Sequence, residues 1–568
     1  MPDRADPNDA LAALAADYWD LTMRTNPSWA TLLGDHRFDD QIEDFTEDGS
    51  AAERAALTGI AARLGGIDRA SLGTVDLVTA ELLASDVSDR IRTIDLRIVE
   101  LSSNQMDGPH VQYLISTPEI APETPDQARM LVVRFGRLGS ALDGAVERWR
   151  AGVAAGRTPA RLCIERSLSS VDGYLGSSLD DDLFVNVAAP PGWDGEAAWR
   201  EELRRVVRES VRPAYQRVRD ALAEELRPVA RPDDRAGVCW LDGGEELYAE
   251  LIRLHTSLPI PAQELHDIGV EAVERTLPEE YATIGARALG VDDPAEIYRR
   301  VREDRELRFA SKDEIVQLAE ATVSRAEAAM GPWFGRLPRA TCRVEPVPAF
   351  LAEDAPGAYY FPPAADGSRP GTYYVNRRNA TDQSRVEAES IAFHEAIPGH
   401  HLQLAIASEL EDLPAFRRLG SGSTAYIEGW ALYAERLADE MGLYSDDVAR
   451  LGMLAGDSWR AGRLVVDTGL HALGWSRQQA RDYLWENSPV GADELEAEID
   501  RYVAIPGQAV SYKTGQREIM ALRAGAEERL GERFDIAGFH DTVLGSGGVT
   551  LPVLRDLVED WIERTATA

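Results

Sequence analysis

Apolar positions recur along most of this chain at the three-to-four-residue spacing of a helix. Leu11, Leu14 and Tyr18 fall at i, i+3 and i+7, on one face of a 3.6-residue period. Comparable stripes run through 74–100, 126–156, 195–228 and 261–288, interrupted by clusters such as Pro190-Pro191-Gly192 and Arg231-Pro232-Asp233-Asp234. No unit of fixed length repeats, which argues against a solenoid. The texture changes near residue 340. Cys342-Arg343-Val344-Glu345-Pro346-Val347 reads as a short extended segment. Ala358-Tyr359-Tyr360-Phe361 and Thr372-Tyr373-Tyr374-Val375-Asn376 are rich in aromatic and β-branched residues, and Pro362–Gly371 between them is dense in Pro, Gly, Asp and Ser. That is a strand–loop–strand pattern. Helical spacing then resumes to the end. The pattern predicts a mainly α protein carrying one small sheet.

At 568 residues the chain exceeds what one hydrophobic core fills. Two lobes are expected, an N-terminal helical lobe over 1–240 and a second over 241–568, built as one structural unit around a cleft. The formal net charge of −37 argues against nucleic acid and against an anionic membrane surface, since both need a basic footprint. Only two of the 60 basic residues are lysines, Lys312 and Lys513. The run Asp180-Asp181-Asp182 reads as a solvated loop, because a calcium loop needs alternating oxygen ligands over about twelve residues. Three distant cysteines, Cys163, Cys239 and Cys342, imply neither a disulfide framework nor a thiolate zinc site. Residues 1–20 hold no apolar stretch of a secretory signal, and no run has the ~18 apolar residues that span a bilayer. A cytoplasmic location is the expectation, and the oligomeric state is left open.

Three of the nine histidines fall within eight residues, in Phe393-His394-Glu395-Ala396-Ile397-Pro398-Gly399-His400-His401. In the His-Glu-x-x-His zinc motif two histidines at i and i+4 share a helix face, and the Glu is the general base. Here position i+4 is Pro398. On a regular helix i+6 is rotated by about 240° and displaced by about 9 Å, and i+7 returns to the same face about 10 Å away, both too far to share an ion. Pro398 removes a backbone donor and Gly399 tolerates almost any backbone angle, so a kink or bulge of the helix can bring His400 to where an i+4 ligand would sit. This reading favours His400 over His401.

Zinc takes a third protein ligand and keeps an open position in catalytic sites. Tyr426-Ile427-Glu428-Gly429-Trp430-Ala431-Leu432-Tyr433-Ala434-Glu435 supplies one, because Glu428 borders an apolar face where an unpaired carboxylate is costly. Gly429 permits close helix approach. Glu435 is either a partner of a ligating histidine or an exposed side chain. The stretch His-Glu-x-x-Pro-Gly-His followed by Glu-Gly-Trp-Ala-x-Tyr-x-Glu resembles the bacterial family known as domain of unknown function 885. Asn26-Pro27-Ser28-Trp29-Ala30-Thr31 with Gly34, and Ala509-Val510-Ser511-Tyr512-Lys513-Thr514-Gly515, are similar to that family's start and end. The resemblance covers nearly the whole chain. It implies a helical, zinc-metallopeptidase-like fold with His394, His400 and Glu428 as metal ligands and Glu395 as base, and it implies no substrate.

Two further residues are candidates for stabilising an oxyanion. Tyr512 lies at a loop-to-helix start; the alternative is a core tyrosine. His471 follows Asp467 by one turn, so the carboxylate could fix its tautomer; a buried packing pair is equally consistent. Arg463 either pairs with Asp467 or binds a substrate carboxylate. The aromatic strands offer an edge to an extended peptide, or else cap the helical core. The expected activity is zinc-dependent hydrolysis of peptide bonds by metal-activated water, with one Zn2+ per chain and Glu395 as base. The alternatives are an amidase or deacylase of a small metabolite using the same residues, and a non-catalytic metal-binding protein.

Overall fold

The computed structural model describes residues 7–348, 356–363, 369–420 and 422–567. The protein is mainly α, with a single three-stranded sheet among the described residues. The chain divides into two compact units, one of residues 1–247 with 503–505, the other of 248–502 with 506–568. No helix among the described residues is long and apolar enough to cross a membrane.

In the first unit the longest helix, Pro125–Ala154, starts at a capping box in which Thr124 and Gln127 satisfy each other's backbone donors, with Pro125 preset for the first turn. Its apolar stripe, Leu131, Phe135, Leu138, Leu142, Ala145 and Trp149, is buried against Trp199, Val207, Val211 and Tyr215. Elsewhere the helical stripes are not regular helices throughout. π-type turns occupy Val207–Val211, Ala221–Leu226 and Ala272–Thr276. Each contains the residue four positions before a proline (Pro213, Pro228, Pro278). A proline leaves that carbonyl without its donor, and the helix widens locally to compensate. The acidic run departs from expectation. Asp180 and Asp181 are exposed, but Asp182 is wholly buried and accepts hydrogen bonds from Arg212 Nε at 2.9 Å, Tyr174 Oη at 3.1 Å and Phe184 N at 3.0 Å.

The second unit carries the sheet, of β1 (Cys342–Pro346), β2 (Ala358–Phe361) and β3 (Gly371–Val375). Its order is β1-β3-β2, with β3 parallel to β1 and antiparallel to β2. The central β3 is accordingly the most buried strand. Of the loop between β2 and β3, residues 364–368 lie outside the described residues. Five helices carry the rest of the argument: α1 (Ala388–Glu395), α2 (His400–Ser408), α3 (Thr424–Glu440), α4 (Asp447–His471) and α5 (Ser511–Leu530). Helix α4 begins at Asp446, whose side chain caps Ala449 N at 2.8 Å, and it is buried along most of its length. Helices α3 and α5 pack at backbone contact through two glycines. A Cβ on Gly429 would lie 2.4 Å from Gly515 Cα, and one on Gly515 would lie 1.7 Å from the Ala425 carbonyl oxygen.

Candidate metal centre

Helix α1 ends at Glu395, and the next four residues are not helical; the Ile397–Pro398 peptide is cis. The expected bulge within one continuous helix is therefore a break between two helices. Pro398 has no N–H to continue α1. Gly399 folds back onto the end of α1 so closely that a Cβ there would lie 1.9 Å from His394 O and 2.4 Å from Phe393 O. The bond His401 N to Ala396 O, at 3.0 Å, bridges the break over five residues and keeps the two helices in register. Trp430 Nε1 donates to Pro398 O at 2.9 Å and so satisfies a carbonyl freed by the break. The Glu-Gly-Trp sequence on α3 thus does three things: Glu428 enters the site, Gly429 lets α5 approach, and Trp430 pins the linker.

This geometry brings His394, His400 and Glu428 together. One ligand atom from each lies within 4.8 Å of the others. Glu428 Oε2 is 3.6 Å from His394 Nε2 and 3.5 Å from His400 Nε2, and the two rings stand at 87° with centroids 4.9 Å apart. Ligands held at about 2.0–2.1 Å on a tetrahedron are about 3.3 Å apart, so the donor set fits a zinc ion. His401 is engaged elsewhere. Its Nδ1 lies 2.9 Å from Tyr360 Oη and its Nε2 3.2 Å from Ala340 O, which ties α2 to the sheet.

The carboxylate of Glu435 is buried, one oxygen 2.8 Å from His394 Nδ1 and the other accepting from Ser390 Oγ at 2.5 Å. It faces Gly456, where a Cβ would lie 2.6 Å from Glu435 Oε2. An acceptor at Nδ1 leaves Nε2 of the neutral ring unprotonated and aimed at Glu428 and His400, the arrangement of a metal-ligating histidine. Burial works against a charge on His394, but hydrogen bonds to Glu428 and Glu435 outweigh it and raise its pKa to about 9. Burial likewise raises the Glu428 pKa, and the hydrogen bonds and charges of His394 and His400 override that and hold it well below the usual carboxylate range. A cation bound by these three side chains would displace the proton of His394, so metal binding there is linked to pH.

Glu395, last on α1, lies close enough to β3 for its charge to oppose ionisation of Tyr373, which burial already disfavours. Tyr512 comes to the same place from the first turn of α5, its ring 6.5 Å from that of His394 and inclined by only 21°. The Arg463 guanidinium lies 4.5 Å from the Tyr512 ring centroid, and Arg501 Nη2 is 3.0 Å from the phenol oxygen. A guanidinium can only donate. The phenol oxygen therefore accepts from Arg501, and its own proton points elsewhere.

His471 does not join this group. It lies eight residues beyond Arg463 on α4, about 12 Å along the axis. Its ring is fully buried 5.3 Å from that of Tyr248, and its Nε2 is 3.0 Å from Tyr502 O. Asp467, expected to orient His471, accepts instead from Tyr248 Oη and, at 3.0 Å, from Gly507 N. Burial, partly offset by those bonds, pushes the Asp467 pKa up to about 7. Arg463 turns to Tyr502 Oη and Glu498, each at 2.9 Å, and not to Asp467. Of the residues that sequence reading missed, Ser390 lies one turn before His394 on α1, a spacing that could have marked it; Arg460, Glu498 and Arg501 carry no such signal, because each reaches the site through tertiary packing.

The family model described as "Bacterial protein of unknown function (DUF885)" matches residues 27–558. This chain is a DUF885 protein. No curated protein matches it. Among solved structures the DUF885 protein is similar to a candidate lipoprotein from Colwellia psychrerythraea, with a TM-score of 0.91 and 28% identity over 99% of this chain and 100% of that one. A candidate lipoprotein of unknown function from Shewanella oneidensis shares the fold, at a TM-score of 0.75 and 20% identity over 97% of this chain and 99% of that one.

Proposed function

We propose that this DUF885 protein is a zinc-dependent hydrolase of peptide bonds. The observation that carries the proposal is the convergence of His394, His400 and Glu428 with a carboxylate, Glu395, adjoining them in sequence and a phenol, Tyr512, stacked beside His394. A structural zinc site usually closes its coordination with four ligands, often cysteines, whereas three protein ligands beside a free carboxylate are the pattern of a catalytic one. His394, His400 and Glu428 hold the ion, and Glu435 fixes the His394 ring so that Nε2 faces it. When bound, zinc acidifies a water molecule and polarises the scissile carbonyl.

The side chains supply the remaining chemistry. Glu395 accepts the proton of the attacking water and passes it to the departing amine, which leaves a free acid and a free amine. Tyr512 donates its phenol proton in a hydrogen bond to the oxygen that becomes negative. Arg501 supports that donation by occupying the phenol oxygen from the other side. The test is Glu395→Gln beside the wild type on a panel of short peptides, with zinc content measured for both. The expected result is full zinc occupancy in both and loss of turnover in the variant by about 100-fold or more. A fully active variant would overturn the mechanism.

A further inference from the structure

Helix α4 places Arg460 and Arg463 one turn apart on one face, flanking Trp459, with guanidinium carbons 4.9 and 4.6 Å from its ring centroid. Both keep a buried donor unmet. Arg460 Nε and Arg463 Nη1 are out of contact with solvent and have no acceptor among the described residues. A buried donor of a charged group normally finds a partner, and its absence calls for a reason. Both arginines adjoin the metal centre. Arg463 lies against the Tyr512 ring, which is stacked beside His394. A Cβ on Gly456 would lie 2.6 Å from Glu435 Oε2 and 3.3 Å from Arg460 Nη1, so Arg460 stands next to the carboxylate that holds His394.

The balance of charge points the same way. Glu498 is shared by two guanidinium groups, Arg463 Nη2 at 2.9 Å and Arg501 Nη1 at 3.3 Å. Arg460 makes no ion pair within 4.0 Å among the described residues. The further carboxylates that feel the Arg460 charge are Glu387 and Glu494. Burial first, then repulsion from Glu494, pushes the Glu387 pKa up, which disfavours a full charge on both carboxylates at once. Three arginines beside the metal centre thus have one carboxylate in contact, in a protein whose net charge is −37.

We infer that Arg460 and Arg463 form a carboxylate-binding subsite that takes the free C-terminal carboxylate of a short peptide, which makes the protein an exopeptidase acting at that end of its substrate. The inference rests on the hydrolase reading above and narrows it. The two unmet donors, Arg460 Nε and Arg463 Nη1, can supply one charge-assisted hydrogen bond to each oxygen of a planar carboxylate. Arg463 and the oxyanion-directed Tyr512 are in contact, so the bound carboxylate lies within a residue or two of the scissile bond.

The experiment compares three N-blocked peptides of one sequence: a free C-terminus, a C-terminal amide, and the amide with a glutamate added near the bond. It uses the zinc-loaded wild type and Arg460→Gln, with melting temperatures confirming that both are folded. Arg460 is half-buried and makes no ion pair, so its variant is the safer one; Arg463, packed between two rings, is not relied upon. The free acid should be cleaved at least about 100-fold better in kcat/KM than the amide, and Arg460→Gln should erase that preference through KM. Equal cleavage of acid and neutral amide would overturn the subsite. Rescue of the amide by the glutamate would overturn its assignment to the C-terminus. If no peptide is cleaved, the hydrolase reading fails, and calorimetry of N-benzoylglycine against its amide on the metal-free protein then judges the subsite alone. Binding of the acid only, lost in Arg460→Gln, is the expected result; identical behaviour of acid and amide would overturn it.

Discussion

Glu435 is the residue whose removal tests the architecture of the proposed metal centre without touching a proposed ligand. Its carboxylate is 2% exposed, 2.8 Å from His394 Nδ1, and accepts from Ser390 Oγ. A hydrogen bond to a charged group is worth about 1.5–3 kcal/mol. At 1.4 kcal/mol per factor of ten, Glu435→Ala should weaken zinc binding by roughly 10- to 100-fold. Glu435→Gln keeps an acceptor for Nδ1–H and turns amide protons toward Ser390 Oγ, but it loses the charge. Since charge-assisted bonds are about twice as strong as neutral ones, its loss should be smaller, about fivefold. Zinc affinity would be read by competition with a chelating dye, and circular dichroism and thermal melts of the metal-free forms would confirm folding. A folded Glu435→Ala protein that binds zinc as tightly as wild type would refute the reasoning, because it would mean that the Nδ1 contact neither orients nor polarises His394.

Tyr512→Phe keeps the ring that stacks beside His394 and removes the donor, so kcat should fall by about 100- to 1000-fold with KM little changed; an unchanged kcat would remove Tyr512 from the reaction. Gly515→Ala drives a methyl group into the Ala425 carbonyl, at a nominal 1.7 Å, and must part α3 from α5; the expected loss is about 2 kcal/mol or more in denaturant titration, together with weaker zinc binding as Glu428 shifts, and a loss under about 0.5 kcal/mol would contradict the packing. His110, fully buried, has its pKa lowered by burial to about 3. The unfolded chain then binds a proton that the folded one does not, so this contribution to stability is present above pH ~6.5 and is lost as pH falls toward 3, by about 1.4 kcal/mol per unit. Histidine hydrogen exchange read by mass spectrometry should place its folded pKa below 5; a value near 6.5 would show the ring to be solvated.

The convergence of His394, His400 and Glu428 was legible because these residues are concentrated in short segments. His394, His400 and Glu428 belong to residue types that are costly to bury unpaired, and Pro398-Gly399 announced that the helix could not run on regularly. The form of that interruption was not legible. Whether a proline widens a helix, as at Pro213 and Pro278, or breaks it, as at Pro398, depends on what the following residue packs against, and Gly399 packs onto carbonyls. The sheet was readable from its aromatic and β-branched runs, but not the parallel pairing of β1 with β3, since strand order is set by long-range contacts. Asp467-x-x-x-His471 misled because a one-turn spacing permits a pair without requiring it, and Tyr248 and Gly507 claim the carboxylate in space. Arg460 and Arg501 were invisible for the complementary reason: nothing in their neighbours along the chain marks them.

The central claim is that the break after α1 delivers His400, and not His401, to a metal ion shared with His394 and Glu428. Elemental analysis of purified wild type, His400→Ala and His401→Ala after zinc reconstitution tests it most directly. The account predicts about one zinc per chain in wild type and His401→Ala, and a large loss in His400→Ala. Zinc retained in His400→Ala, or none taken up by the wild type, would contradict it.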